Sequence, residues 1–144
     1  MNIDIPGTVD RRQSPRYEVE LACDLVLENG TILPVKTRNI SSCGLQMICD
    51  SWITDEIEPR GIQNHAISHI RIKSIIELPV SKNNENKDYK KLYATCKIMS
   101  VQRMSQDEYM LNLAFIDFEN GTEKILDAFL DMHEQKKTVI NATA

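Results

Sequence analysis

Apolar residues fall at every second position from Val19 to Leu27, and no other feature of this chain restricts its fold as much. Val19, Leu21, Cys23, Leu25 and Leu27 share one face. Glu18, Glu20, Asp24 and Glu28 share the other, with Ala22 and Val26 as apolar exceptions. A period of two belongs to a strand buried on one side, not to a helix. Asn29-Gly30 follows, the dipeptide suited to a tight hairpin turn, so a return strand is expected over 32–38. Pro34 has no N–H to give to a ladder, which places that stretch at a sheet edge.

The same alternation returns further on. Ile70, Ile72, Ser74, Ile76, Leu78 and Val80 alternate against Arg71, Lys73, Ile75, Glu77 and Pro79. Residues 45–49, 92–101 and 109–118 read as further strands, and 50–68 as a long loop with a helical turn. Asn120-Gly121-Thr122-Glu123 resembles a capping box, with Asn120 as the cap of a helix over 120–137. That helix carries Ile125, Leu126, Phe129, Leu130 and Met132/His133 on one stripe. About six short antiparallel strands with one-sided burial remove their edges by closing into a small barrel or sandwich. The helix then caps an open end or offers its stripe to a partner protein.

With 144 residues the chain fits one domain, and 42% hydrophobic residues suffice for a core. The net charge of −4 argues against a nucleic acid polymer or an anionic membrane as partner. Against that background Arg11, Arg12, Arg16, Lys36 and Arg38 form a local basic cluster, which suits a discrete anionic ligand. Cys23, Cys43, Cys49 and Cys96 contain no Cys-x-x-Cys pair, and Cys23 and Cys96 lie on apolar strand faces. The start of the chain lacks the apolar core of a signal peptide, and no run reaches membrane-spanning length. A reduced, cytoplasmic protein is expected, with the Asn-x-Ser/Thr sequons at Asn39, Asn120 and Asn141 unused.

Two motifs carry the chemistry. Arg11-Arg12-Gln13-Ser14-Pro15-Arg16 holds an Arg-x-x-x-Arg with a further Arg ahead of it. Asn39-Ile40-Ser41-Ser42-Cys43-Gly44 holds an Asn-x-Ser-x-x-Gly at a strand end. A guanidinium keeps its charge, grips phosphate in a fork, bonds guanine O6 and N7, and stacks on a base. Asn and Ser bond backbone or ligand in turns, and Gly admits a close approach. Either motif alone recurs by accident. His65 and His69 at i, i+4 lack a third metal ligand, and no catalytic fingerprint is present, so neither an enzyme nor a cofactor is expected. Trp52 and Tyr109 are expected in the core.

In this order, on either side of one hairpin, the two motifs resemble the PilZ domain family, bacterial receptors for the second messenger cyclic di-GMP. Arg12 and Arg16 match the family's first motif, and Asn39, Ser41 and Gly44 its second, with Asn in place of the commoner Asp. Leu113-Ala114-Phe115 matches a further element near the last strand's end, although many members carry Gly where this chain has Asn112.

The resemblance implies a six-stranded antiparallel PilZ-type β-barrel with a C-terminal α-helix. It places the domain at 10–137 (barrel about 17–118), between a flexible tail at 1–9 and another at 138–144. It implies that Arg12 and Arg16 hold phosphates and guanine, that Arg11 and Arg38 add contacts, that Asn39 and Ser41 bond a guanine edge, and that Gly44 lets the backbone approach. The arginine segment is expected to wrap around one cyclic di-GMP or a stacked pair. The expected role is a receptor that relays second-messenger level to a separate protein in motility, biofilm or virulence control. The alternatives are a non-nucleotide adaptor of type IV pilus assembly, whose arginines are generally lost, and a barrel for single-stranded nucleic acid.

Overall fold

The structure is a computed structural model that describes residues 15–63, 66–80 and 88–143. Its strands are β1 (Tyr17–Glu18), β2 (Ala22–Val26), β3 (Ile32–Ile40), β4 (Gly44–Asp50), β5 (Arg71–Pro79), β6 (Tyr89–Arg103) and β7 (Glu108–Phe118). Helix α1 (Ser51–Ile57) follows β4, and α2 (Glu123–Thr143) follows β7. Every strand pairing is antiparallel. The order β3-β2-β5-β6-β7-β4 returns to β3, so six strands close into a barrel.

The first strand is split where the sequence suggests one continuous run. Between β1 and β2 the Thr37 hydroxyl enters the ladder, accepting from the Leu21 amide at 3.0 Å and donating to the Val19 carbonyl at 2.7 Å. The alternation survives the break, because Leu21, Cys23 and Leu25 all face the core. At the hairpin, Gly30 takes φ 91°, a left-handed conformation that costs glycine little. The β3–β4 ladder begins at Lys36, so Pro34 lies outside it and meets only Asp24 of β2, the edge position that its missing donor requires.

The ladders slip at three places among the described residues, and two of these slips decide which residues reach the outer surface beside Asn39. In β3 the pairing to β4 slips between Thr37 and Asn39, so Thr37 opposes Met47 and Asn39 opposes Gln46. Met47 is buried, so the slip turns Asn39 to the outside and Ile40 to the core. In β6 the pairing to β7 slips between Ile98 and Ser100, which leaves Met99 58% exposed and sets Ser100 opposite Asn112.

The interior is filled by Leu25, Leu33, Ile40, Leu45, Met47, Ile72, Ile76, Leu78, Leu92, Ile98, Leu111 and Leu113. Each such side chain contributes on the order of 1.5–3 kcal/mol by leaving water. Helix α2 packs against β5 and β6 with Leu126 and Phe129 fully in the core and Ile125 and Leu130 partly so. Leu126 and Phe129 of the helix stripe are therefore spent on the fold, while Ile125 and Leu130 remain half-buried.

Helix α2 also departs from its expected limits. It starts at Glu123, and Asn120 is no cap but stands at φ 53°, a left-handed turn that Asn tolerates better than most residues. Thr122 directs its hydroxyl to the Tyr93 backbone amide and carbonyl instead. The helix continues to Thr143, past the expected end at 137 and through most of the expected tail. The stretch after β4, expected as a long loop with a helical turn, holds the 7-residue α1, which buries Ile53 and Thr54 and leaves Trp52 52% exposed rather than in the core. Tyr109 packs partly against the core as expected.

Candidate ligand-binding site

Arg16 and Asn39 meet across the start of the barrel, with Arg16 Nη1 donating to Asn39 Oδ1 at 3.0 Å. Strand β1 makes this possible. It pairs Tyr17 with Ile40 and Glu18 with Asn39, which brings the residue just before it alongside the end of β3. Asn39 is only 7% exposed although it faces outward, because Arg16 and Gln46 close over its amide.

From Asn39 a row of polar side chains crosses the outer face. Asn39 Nδ2 donates to Gln46 Oε1 at 2.6 Å. Gln46 Nε2 donates to Asn112 Oδ1, and Asn112 Nδ2 donates to Ser100 Oγ. Each step is a direct cross-strand pair: Asn39 on β3 with Gln46 on β4, Gln46 with Asn112 on β7, Asn112 with Ser100 on β6. Arg38 sits beside the row, exposed, its guanidinium 3.7 Å from Met110 Sδ. Among the described residues neither Arg16 nor Arg38 has a carboxylate partner; the ion pairs are Lys36–Glu20, Arg60–Glu58 and Lys73–Glu119. Two guanidiniums that no carboxylate among the described residues compensates thus flank the row, an arrangement that attracts an anion.

Ser41 and Gly44 are placed for the turn itself. Ser41 is 1% exposed, and its Oγ accepts from the backbone amides of Cys43 (3.1 Å) and Gly44 (3.3 Å) and donates to the Gly44 carbonyl. Gly44 opposes Ala114, and a Cβ there would lie 2.0 Å from the Leu113 carbonyl oxygen. Its close approach is to strand β7. Arg11 and Arg12 lie outside the described residues, as do His65 and the part of the arginine segment ahead of Pro15 that is expected to wrap the ligand.

The sequence reading missed Gln46, Asn112 and Ser100 as one surface with Asn39. The signal was present: Ile40 after Thr37, and Val101 after Ile98, each break the parity of the apolar positions and mark the bulges. A groove of about 710 Å³ lies elsewhere among the described residues, between β2–β3 and α1, and shares only Arg38 with the predicted site. Glu20, Asp24 and Asp50 line it and oppose a dianion. Burial pushes the Cys49 thiol up to about 12 and Cys96 to about 11, and moves Cys23 in the same direction, so these three stay protonated and unreactive. No group of three metal-ligating side chains occurs among the described residues, and none of their helices is long and apolar enough to cross a membrane.

No curated protein matches this sequence. Solved structures do match its fold. The inhibitor of motility MotI/DgrA of Bacillus subtilis superposes with a TM-score of 0.58 at 16% identity, over 88% of this chain and 52% of that one. The PilZ domain of YcgR from Escherichia coli with c-di-GMP gives 0.56 at 12% identity, over 91% and 98%. PlzA of Borreliella burgdorferi in complex with c-di-GMP gives 0.54 at 13% identity, over 94% and 57%. This chain therefore spans about half of the MotI/DgrA and PlzA chains, and nearly all of the YcgR domain. The PilZ domain model matches residues 10–132, which include both motifs and the whole barrel, and the chain belongs to the PilZ domain family.

Proposed function

We propose that this protein is a cyclic di-GMP receptor that relays second-messenger level to a separate partner protein, in control of motility, biofilm or virulence, without catalysing a reaction. The observation that carries the reading is the Arg16–Asn39 contact, which brings the two motifs together on the outer face of the barrel. Family membership supports it, as do the YcgR domain and PlzA, both solved with c-di-GMP.

In this reading Arg12 and Arg16 hold the phosphates and guanine faces, with Arg11 and Arg38 adding contacts. Guanidinium forks suit this work because they keep their charge and match phosphate geometry. Asn39 bonds a guanine edge. Ser41 and Gly44 hold the turn in the shape that presents it.

Titration calorimetry with cyclic di-GMP tests the proposal, with cyclic di-AMP and GTP as controls and Arg16→Ala in parallel. Saturable binding of cyclic di-GMP that weakens strongly in the variant is expected. Absence of heat and of competition at high ligand concentration would sink it and turn attention to a non-nucleotide adaptor.

A further inference from the structure

We infer that the groove between β3 and α1 docks a partner protein through an aliphatic side chain flanked by lysine or arginine. In calling for a separate partner the inference rests on the receptor reading; the groove itself does not depend on the nucleotide.

The opening comes from unequal strand lengths. Strand β3 begins at Ile32, yet its ladder with β4 starts only at Lys36, opposite Ile48. Continued by two residues, that register would set Pro34 against Asp50, and no such pair forms. The chain leaves the barrel there instead. Ser51 begins α1 and donates its amide to the Asp107 carbonyl at 2.8 Å, in the turn between β6 and β7. Helix α1 packs on β4 and β7, so the wall stays parted beside the first half of β3. The groove of about 710 Å³ occupies that gap.

Its floor reaches the core. Cys23, Val35 and Ile53 line it although each is buried, and Ala22, Pro34 and Ile48 line it from the exposed faces. An aliphatic side chain entering here leaves water and meets apolar atoms. A whole strand does not add to this edge. Thr37 donates its amide to the Leu21 carbonyl, so alternation turns the backbone groups of Val35 and Leu33 toward β2 and those of Ile32 and Pro34 toward the gap. Pro34 has no N–H to offer a visiting strand. The groove therefore holds a partner by its side chains.

Charge decides which side chains fit. Asp24 lies directly opposite Pro34 on β2, and Asp50 ends β4 on the other side of the gap, so two carboxylates bracket the opening. Both are exposed and form no ion pair among the described residues. Asp50 holds the N-cap position of α1 but makes no side-chain cap bond, so the helix does not use its carboxylate. Glu20, also on the lining, is paired with Lys36 at 3.3 Å. A lysine or arginine on either side of an aliphatic residue complements this rim. Arg38 lines both the groove and the proposed nucleotide site, which sets a docked segment beside the ligand.

Random peptides displayed on phage and selected on the full chain are the probe, with the Asp24→Asn, Asp50→Asn double variant for counter-selection. Enriched sequences are expected to carry lysine or arginine beside leucine, isoleucine or valine. A synthetic copy of the strongest is then titrated by fluorescence anisotropy. Its Kd should rise about threefold in each single aspartate variant and about tenfold in the double one. Ala22→Phe, which fills the mouth from an exposed position, should abolish binding. Enrichment of peptides without basic residues, no enrichment, or a Kd that the aspartate variants leave unchanged overturns the inference. So does a concentration-dependent dimer that Ala22→Phe dissolves, since the groove would then belong to a second copy. Cyclic di-GMP calorimetry on the same proteins keeps the two readings apart. A wild type that binds cyclic di-GMP but no peptide overturns the groove alone, and one that binds the peptide but no cyclic di-GMP overturns the receptor reading and leaves the groove standing.

Discussion

The Arg16 guanidinium donates to the Asn39 side-chain oxygen at 3.0 Å, and this single bond joins two motifs 23 residues apart in sequence. Arg16 is exposed and has no carboxylate partner among the described residues. Its contribution to stability is therefore small, whereas its charge is available to a ligand. Arg16→Ala is expected to change unfolding stability by at most about 1 kcal/mol. The same substitution is expected to weaken cyclic di-GMP by roughly tenfold to a hundredfold, since bonds from charged donors are the strong ones. Urea unfolding and calorimetry on one preparation separate the two effects. A large stability loss with unaltered affinity would make Arg16 a structural residue.

Ser41 lies at the other extreme. Its buried hydroxyl serves two backbone amides of the turn. In Ser41→Ala those amides lose their acceptor inside the protein, at a cost of about 1–3 kcal/mol. Ligand affinity should fall only as far as the turn loosens, so the denaturation midpoint moves more than the Kd. A variant as stable as wild type would show that water replaces the hydroxyl without penalty.

Much of this fold is legible in the sequence because one-sided burial imposes parity. Leu21, Cys23 and Leu25, or Ile72, Ile76 and Leu78, leave no other arrangement that hides them all. The helix stripe was equally visible in Leu126 and Phe129, but periodicity alone could not say that the barrel consumes those two side chains. What escaped depends on partners distant in sequence. The Thr37 hydroxyl splits the first strand only because Val19 and Leu21 lie across from it. Gln46 and Asn112 are unremarkable polar residues until register sets them side by side. Gly44 was legible as a special position, but its reason, the Leu113 carbonyl, belongs to another strand.

Gly44→Ala follows from that contact. Its Cβ would sit 2.0 Å from the Leu113 carbonyl oxygen, which is backbone and cannot rotate aside. Strands β4 and β7 must separate locally, including the bond from the Phe115 amide to the Cys43 carbonyl at 2.8 Å. A loss of about 3 kcal/mol or failure to fold is expected. Equilibrium unfolding checks it, and a variant of wild-type stability would contradict the close packing of the two strands.

Tyr17 couples β1, and so the residue after Arg16, to helix α2. Its hydroxyl donates to Glu134 Oε2 and its ring lies 5.3 Å from that of His133. Donation to a carboxylate requires the phenolic proton. That bond, more than burial, pushes the Tyr17 pKa from 10.0 up to about 12. The folded value is the higher one, so the contribution to stability is fully present below pH 10 and disappears as pH rises toward 12. In an ultraviolet titration one of the 4 tyrosines should ionise late, and Tyr17→Phe should remove that step. The variant should be less stable than wild type at neutral pH, with the difference narrowing between pH 10 and 12. A titration in which Tyr17→Phe removes an ordinary tyrosine near pH 10 would mean that the bond to Glu134 does not hold the proton in solution.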